Sequence, residues 1–105
     1  MGDKTMSLEE FRKEIKGIPE QGMLGIGGQS VNMNPMGLVR EVLRAPKKGL
    51  HVLASPVGGL AADLLVGAGA VHALEFAQVS LWEFGMAPNF RRAAEEGSIK
   101  LLEHT

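Results

Sequence analysis

The stretch Gly22-Met23-Leu24-Gly25-Ile26-Gly27-Gly28-Gln29-Ser30-Val31-Asn32-Met33-Asn34-Pro35 decides the fold. An apolar run, Met23–Ile26, meets the glycine pair Gly27-Gly28, and a short polar loop follows. Asn34-Pro35 then opens a helical pattern, with Met36, Val39, Val42 and Leu43 on one face and Arg40, Glu41 and Arg44 on the wet one. Asn34 is expected to cap this helix and Pro35 to take its first position, where a missing N–H costs nothing. Pro46 is expected to stop it. A strand that runs into a glycine loop and then a helix is the unit of an open α/β sheet, whose ligands sit at the carboxyl ends of the strands. Glycine suits such a loop because the backbone turns sharply without a Cβ and lets a ligand approach its N–H groups.

The same unit recurs downstream. Leu50–Ala54 reads as a second strand and ends at Ser55-Pro56; Gly58-Gly59 then begin a third helix, Leu60–Gly67, whose only charge is Asp63. That helix is expected to be the most buried. Val71–Phe76 is a third strand, with Gln78-Val79-Ser80 just past it and a loop carrying Trp82 and Phe84 beyond. Residues 90–96 form a fourth helix, closed by Gly97, and residues 99–102 a fourth strand. Upstream, Ser7 can cap a first helix with Glu9 and Glu10 in its first turn and Leu8, Phe11 and Ile15 on one face, ended by Gly17 and Pro19. Strands alternating with helices predict an α/β domain: an open, mainly parallel sheet with helices on both faces and right-handed crossovers. The nearly continuous apolar character of Met23–Ile26 predicts a strand covered on both faces. Gly27, Gly28, Gln29, Ser55, Gly58, Gly59, Gln78 and Ser80 follow the first three strands, so they should gather at one end of the sheet as a substrate-binding site.

Composition bounds the function. The 105 residues suffice for one domain and not two. A net charge of −1 gives no electrostatic footprint for nucleic acid or an anionic membrane, and no apolar run approaches the ~20 residues that span a bilayer. With no cysteine there is no disulfide, zinc–thiolate site or cysteine nucleophile, and a reducing cytoplasm is the expected location. Residues 1–6 are expected to be a frayed or added end.

The local motifs are thin. Gly25-Ile26-Gly27-Gly28-Gln29-Ser30 matches only part of the dinucleotide fingerprint, with Ser30 where the final glycine belongs and Ser55-Pro56 where the ribose-binding acid belongs. A P-loop needs Gly-Lys-Ser/Thr, which is absent. His51, His72 and His104 lack metal-ligand spacing and read as packed or solvated. Arg91-Arg92 stand four residues before Glu95 and Glu96, as on a solvated helix face. Trp82 and Phe84 read as core or interface packing, and Met23, Met33, Met36 and Met86 as adaptable packing. Ser55 has no His or acid nearby in sequence to make it a nucleophile.

Three longer stretches say more. Gly27-Gly28 followed by residues 35–43 (Pro-Met-Gly-Leu-Val-Arg-Glu-Val-Leu), residues 55–69 (Ser-Pro-Val-Gly-Gly-Leu-Ala-Ala-Asp-Leu-Leu-Val-Gly-Ala-Gly) and residues 84–97 (Phe-Gly-Met-Ala-Pro-Asn-Phe-Arg-Arg-Ala-Ala-Glu-Glu-Gly) occur in that order. From residue 22 to 103 the chain resembles the amino-terminal part of the α subunit of family I CoA-transferases, in the glutaconate and 3-oxoacid branches. The resemblance implies a single truncated domain of this α-subunit type over residues 1–105, in a Rossmann-like three-layer fold, because the family's subunit is well over twice as long. It also implies coenzyme A as a substrate, with no other cofactor.

The departures are as informative. The family usually has Asp-Gly ahead of the first strand and Phe after the glycine pair; here Gln21-Gly22 and Gln29 stand there, and the segment before Gly27 is one residue short. The family's thioester is attacked by a glutamate of the β subunit or second half, and no glutamate here lies in that context. An oxyanion-supporting amide, just past the strand matching residues 99–102, falls about where this chain ends. Nucleophile and oxyanion stabiliser dominate acyl transfer, so the resemblance implies a chain that is inactive alone. Two functions follow: a partial subunit that contributes strand-end loops to a CoA-transfer site completed by a β-like partner, or a non-catalytic self-associating or ligand-binding module. A sugar-phosphate isomerase relative, sharing the fold, lacks an acid/base pair and a phosphate clamp. A homo-oligomer is expected, with the loop of Leu81, Trp82, Phe84 and Met86 or the edge at residues 99–102 in its interface.

Overall fold

The computed structural model describes residues 4–45 and 47–104, so the stop expected at Pro46 and residues 1–3 lie outside the described residues. In order, the elements are α1 (Leu8–Gly17), β1 (Met23–Ile26), α2 (Met36–Arg44), β2 (Leu50–Ala54), β3 (Val57–Gly58), α3 (Leu60–Gly67), β4 (Val71–Phe76), β5 (Gln78–Val79), a 3-10 turn (Trp82–Phe84), α4 (Pro88–Glu96) and β6 (Lys100–Glu103). Helix α1 starts where Ser7 Oγ accepts from the Glu10 N–H at 3.2 Å, as its sequence requires.

Strands β1, β2, β4 and β6 form one sheet in the order β1-β2-β4-β6, with every neighbouring pair parallel. The class is therefore α/β, a mainly parallel sheet flanked by helices and consistent with a Rossmann-like three-layer fold. Each crossover moves one strand the same way, and a right-handed crossover then sets α2, α3 and α4 side by side on one face. Burial is correspondingly uneven. Leu50, Val52, Leu74 and Phe76 are buried under that helical layer, whereas Met23 (59% exposed) and Leu53 (40% exposed) stand on the opposite face. Met23 and Gly25 of β1 share with His51 and Leu53 the face that α2, α3 and α4 do not cover, so the burial of β1 alternates instead of being complete on both faces, which corrects the expectation for Met23–Ile26.

Helix α3 is the most buried of the four: Ala61, Ala62, Asp63, Leu65 and Val66 are all enclosed, because it lies between α2 and α4. The sequence boundaries of β1, β2, α3 and β4 agree with the structure. Helix α4 begins two residues early, with Pro88 in its first turn, and β6 runs one residue later than expected. The two-residue strands β3 and β5 pair with each other in a small parallel sheet where loops were expected.

Two caps differ from the local reading. Pro35 is the N-cap of α2, and Asn34 does not cap it. The Asn34 side chain instead accepts the Ala61 N–H at 3.1 Å, capping α3, and donates to Ser30 O at 2.9 Å. Asp63 of α3 in turn accepts the Phe90 N–H at 2.7 Å and Asn89 Nδ2 at 3.1 Å, capping α4. The orphan N–H groups at two helix starts are thus satisfied from the preceding crossover.

Candidate functional site

Parallel strands end on the same side, so the loops after β1, β2 and β4 meet at the carboxyl end of the sheet. Their contacts are direct. Ser55 Oγ donates to Gly28 O. Ser30 N–H donates to Val57 O at 2.8 Å, Ser30 Oγ to Ser80 O at 2.9 Å, and Ser80 N–H to Gly58 O at 2.9 Å. Val57 and Gly58 pair with Gln78 and Val79 through β3 and β5. The eight residues singled out from the sequence therefore belong to one connected group of loops.

The glycines serve this junction. Gly28 adopts φ +108°, a region a side chain resists, and a Cβ there would press on Met33 O and Asn34. A Cβ on the buried Gly59 would collide with the Ser30 backbone. The close approach that glycine permits is here an approach of chain to chain. Gly27 and Gln29 remain exposed at the outer side of the β1 loop.

A groove of about 570 Å³ opens beside this junction, between the end of β4, the 3-10 turn, α4 and β6. Gln78 and Ser80 line it, whereas Gly27, Gly28, Gln29, Ser55, Gly58 and Gly59 do not. Its apolar wall comes from Phe76, Trp82, Met86, Phe90 and Leu101, with Glu103 at its margin. Phe76 and Phe90 meet edge to face at 5.0 Å. Trp82, Phe84, Met86 and Met33 are exposed, so they do not pack in the core of this chain. Backbone strain collects in the same loops: Ser30, Met33 and Trp82 all have φ between 51° and 54°. The arrangement can hold an apolar group against Trp82 and Phe90 and present an amide and a hydroxyl to it. Among the described residues no carboxylate or imidazole hydrogen-bonds the hydroxyl of Ser30, Ser55 or Ser80.

Sequence reasoning missed Ser30, Asn34 and Asp63 as organisers of the junction. The available signal was polarity at a position expected to be buried, as with Asp63 in an otherwise apolar helix.

Two charged clusters lie elsewhere. Glu41 is buried (8% exposed) instead of wet, because Arg12 Nε donates to it at 2.9 Å and Arg44 at 2.7 Å. The Arg12 guanidinium, foremost, holds the Glu41 carboxyl below its usual range. On the face of the sheet away from α2, α3 and α4, the Glu75 carboxylate meets His51 Nε2 at 2.9 Å and His104 Nε2 at 3.0 Å. The hydrogen bond from His104, then that from His51, lowers the Glu75 pKa. The described residues hold no group of three or more His, Asp or Glu able to bind a metal ion. No described helix is long and apolar enough to cross a membrane.

No family model matches the chain. No curated protein matches it. Solved structures do: a crystal structure of a variant of the decarboxylase AibA/AibB is similar, with a TM-score of 0.76 and 29% sequence identity. The match covers 90% of this chain and 37% of that one, so the chain spans about a third of the solved neighbour.

Proposed function

We propose that this chain is a CoA-transferase-like subunit that contributes strand-end loops to an acyl-CoA site, and that a β-like partner chain supplies the nucleophile. The observation that carries the reading is where the three resembling stretches meet. The first reaches the second through Gly28 to Ser55, and the second reaches the third through Asp63 to Asn89 and Phe90. Residues of all three stretches thus take part in tying the carboxyl end of the sheet together, beside Ser30, Asn34 and Ser80. The likeness to the solved decarboxylase chain supports the same broad relationship. Because that neighbour is a decarboxylase, transfer of CoA and loss of CO2 are both reactions to assay.

The groove beside Gln78 and Ser80 would receive the acyl part, with its apolar wall against the chain and its thioester toward the two polar side chains. Purified alone, the chain should transfer no CoA between an acyl-CoA and a carboxylic acid and release no CO2. Mixed with the product of a neighbouring β-like reading frame, it should do one of these. A covalent enzyme–CoA thioester on any glutamate of this chain, found by mass spectrometry, would overturn the assignment of the nucleophile to a partner. A second reading, a non-catalytic module, is favoured by the loop polar groups being spent on one another; it predicts no activity with any such partner.

A further inference from the structure

We propose that the groove takes an acyl group whose far end is apolar and uncharged, and that Glu103 rejects acyl groups ending in a second carboxylate. The proposal rests on the acyl-CoA reading above and adds which acyl groups that site accepts.

Topology orients the groove. Strand β4 lies between β2 and β6, and β5, which follows β4, pairs with β3, which follows β2. Gln78 and Ser80 therefore stand on the β2 side of the groove, and Leu101 and Glu103 on the β6 side. Leu101 pairs with Leu74 and Glu103 with Phe76, so Leu101 and Glu103 share the face of the sheet on which Phe76 meets Phe90 of α4. With its thioester at the two polar side chains, an acyl group in the groove extends across Phe76 and Phe90 toward β6.

What it meets on the way is apolar. Phe76, Phe90 and Leu101 line the groove from the sheet and α4, and Trp82 and Met86 line it from the loop. Trp82 is held in place, because its N–H donates to Ser80 Oγ at 2.9 Å. The volume of about 570 Å³ is that of a small-molecule site.

Two observations set the charge. No lysine, arginine or histidine lines the groove among the described residues, and Arg91, next to Phe90 in the chain, is engaged with Glu95 at 3.0 Å. The one charged side chain in the lining is Glu103, which is exposed and makes no hydrogen bond or ion pair among the described residues. A carboxylate carried into this space loses water among aromatic faces, finds no cation and approaches a like charge. An apolar end buries its surface at no such cost. Loss of CO2 needs a carboxylate on the acyl group, so of the two reactions the groove favours transfer of CoA.

Trp82 is the only tryptophan, so its fluorescence reports on the groove. The purified chain is titrated with pentanoyl-CoA and glutaryl-CoA, which end the same straight chain in a methyl group or a carboxylate. The N-acetylcysteamine thioesters of both acyl groups serve as probes without CoA. Pentanoyl-CoA should bind at least about tenfold more tightly than glutaryl-CoA, and the N-acetylcysteamine thioesters should keep that order. Glu103→Gln should reduce the ratio several-fold, and Glu103→Lys should abolish or invert it, with folding of both checked by circular dichroism. Equal affinities, tighter glutaryl-CoA, or a ratio that neither variant moves would overturn the assignment and leave the acyl-CoA reading standing. Selectivity between the N-acetylcysteamine thioesters with no affinity gained from CoA would support the assignment and count against the acyl-CoA reading. Binding of none of these probes would overturn both.

Discussion

Asp63→Ala offers the sharpest check on how the fold is held together. Asp63 is 6% exposed, and its carboxylate accepts the buried Phe90 N–H at 2.7 Å and Asn89 Nδ2 at 3.1 Å. Alanine removes the acceptor without removing the donors. An ordinary cap is worth about 1 kcal/mol, and leaving the Phe90 N–H both buried and unsatisfied sets the cost at ~1–3 kcal/mol. A loss of about 1–3 kcal/mol is a sizeable part of the ~5–15 kcal/mol that holds a domain together. With a urea m-value of ~2 kcal/mol/M, the unfolding midpoint should fall by about 0.5–1.5 M.

Asp63→Asn separates the cap from the charge. The asparagine oxygen still accepts the Phe90 N–H, and the Asn89 amide can turn to meet the new NH2 group, so the cost should stay within about 1 kcal/mol. Amide hydrogen exchange gives a local readout: in folded Asp63→Ala, the Phe90 amide should lose protection ahead of the β2 and β4 amides. Equal midpoints for the alanine and asparagine variants, or an alanine cost below ~0.5 kcal/mol, would refute the capping of α4 from α3.

Glu75 makes the stability pH-dependent: its lowered folded pKa, from His104 foremost and then His51, contributes stability above the unfolded carboxylate range that is lost as pH falls through the folded value. Glu75→Gln should therefore flatten the acid limb of a urea-midpoint profile and leave its alkaline limb unchanged. Gly59→Ala drives a Cβ into the Ser30 backbone, whereas Gly25 has open space around its Cβ position. Thermal melts should show the first losing at least ~2 kcal/mol or failing to fold, and Gly25→Ala changing little. Arg12→Ala should leave Glu41 with Arg44 as its remaining partner and raise the Glu41 pKa, which NMR titration of its side chain would read directly.

Where the chain's local signals and its tertiary contacts agree, the sequence reads true. Leu60–Gly67 is apolar apart from Asp63 and is flanked by glycines, and it is indeed the helix enclosed by two others. Val71–Phe76 is bounded by Gly69 and by polar residues and lies mid-sheet, as its composition requires. What could not be read depends on partners far along the chain. Asn34 looks like the cap of the helix it precedes, but its oxygen serves Ala61. Glu41 lies on a charged helix face until Arg12, from another helix, covers it. The two residues each of β3 and β5 are too few to carry a period. For the site, the topology of the strand ends was legible, because parallel strands place their loops together whatever the side chains are. The use of each loop group was not, because the Ser30 to Ser80 bond spans fifty residues and has no local signature.

That distinction bears on what the chain can do chemically. A nucleophile needs a base to take its proton, and an oxyanion needs donors that are free when charge develops. The Ser55 and Ser30 hydroxyl protons are already given to backbone carbonyls, and the Ser80 oxygen already accepts the Trp82 N–H. The Gln29 and Ser30 N–H groups are likewise directed to Asn32 O and Val57 O. A junction satisfied in this way is rigid, which suits a wall against which substrate is positioned, and it has little left to offer a reacting atom. Among the described residues the groups that still face outward here include Gln78 at the groove, Gly27 and Gln29 on the β1 loop, and the strained Trp82 turn. These lie along the rim, where a second polypeptide would bring its own side chains. On the proposed function, chemistry at this end of the sheet would belong to a surface completed by the partner chain, and substitutions at Ser30, Ser55 and Gly59 should register as losses of stability before they register as losses of activity.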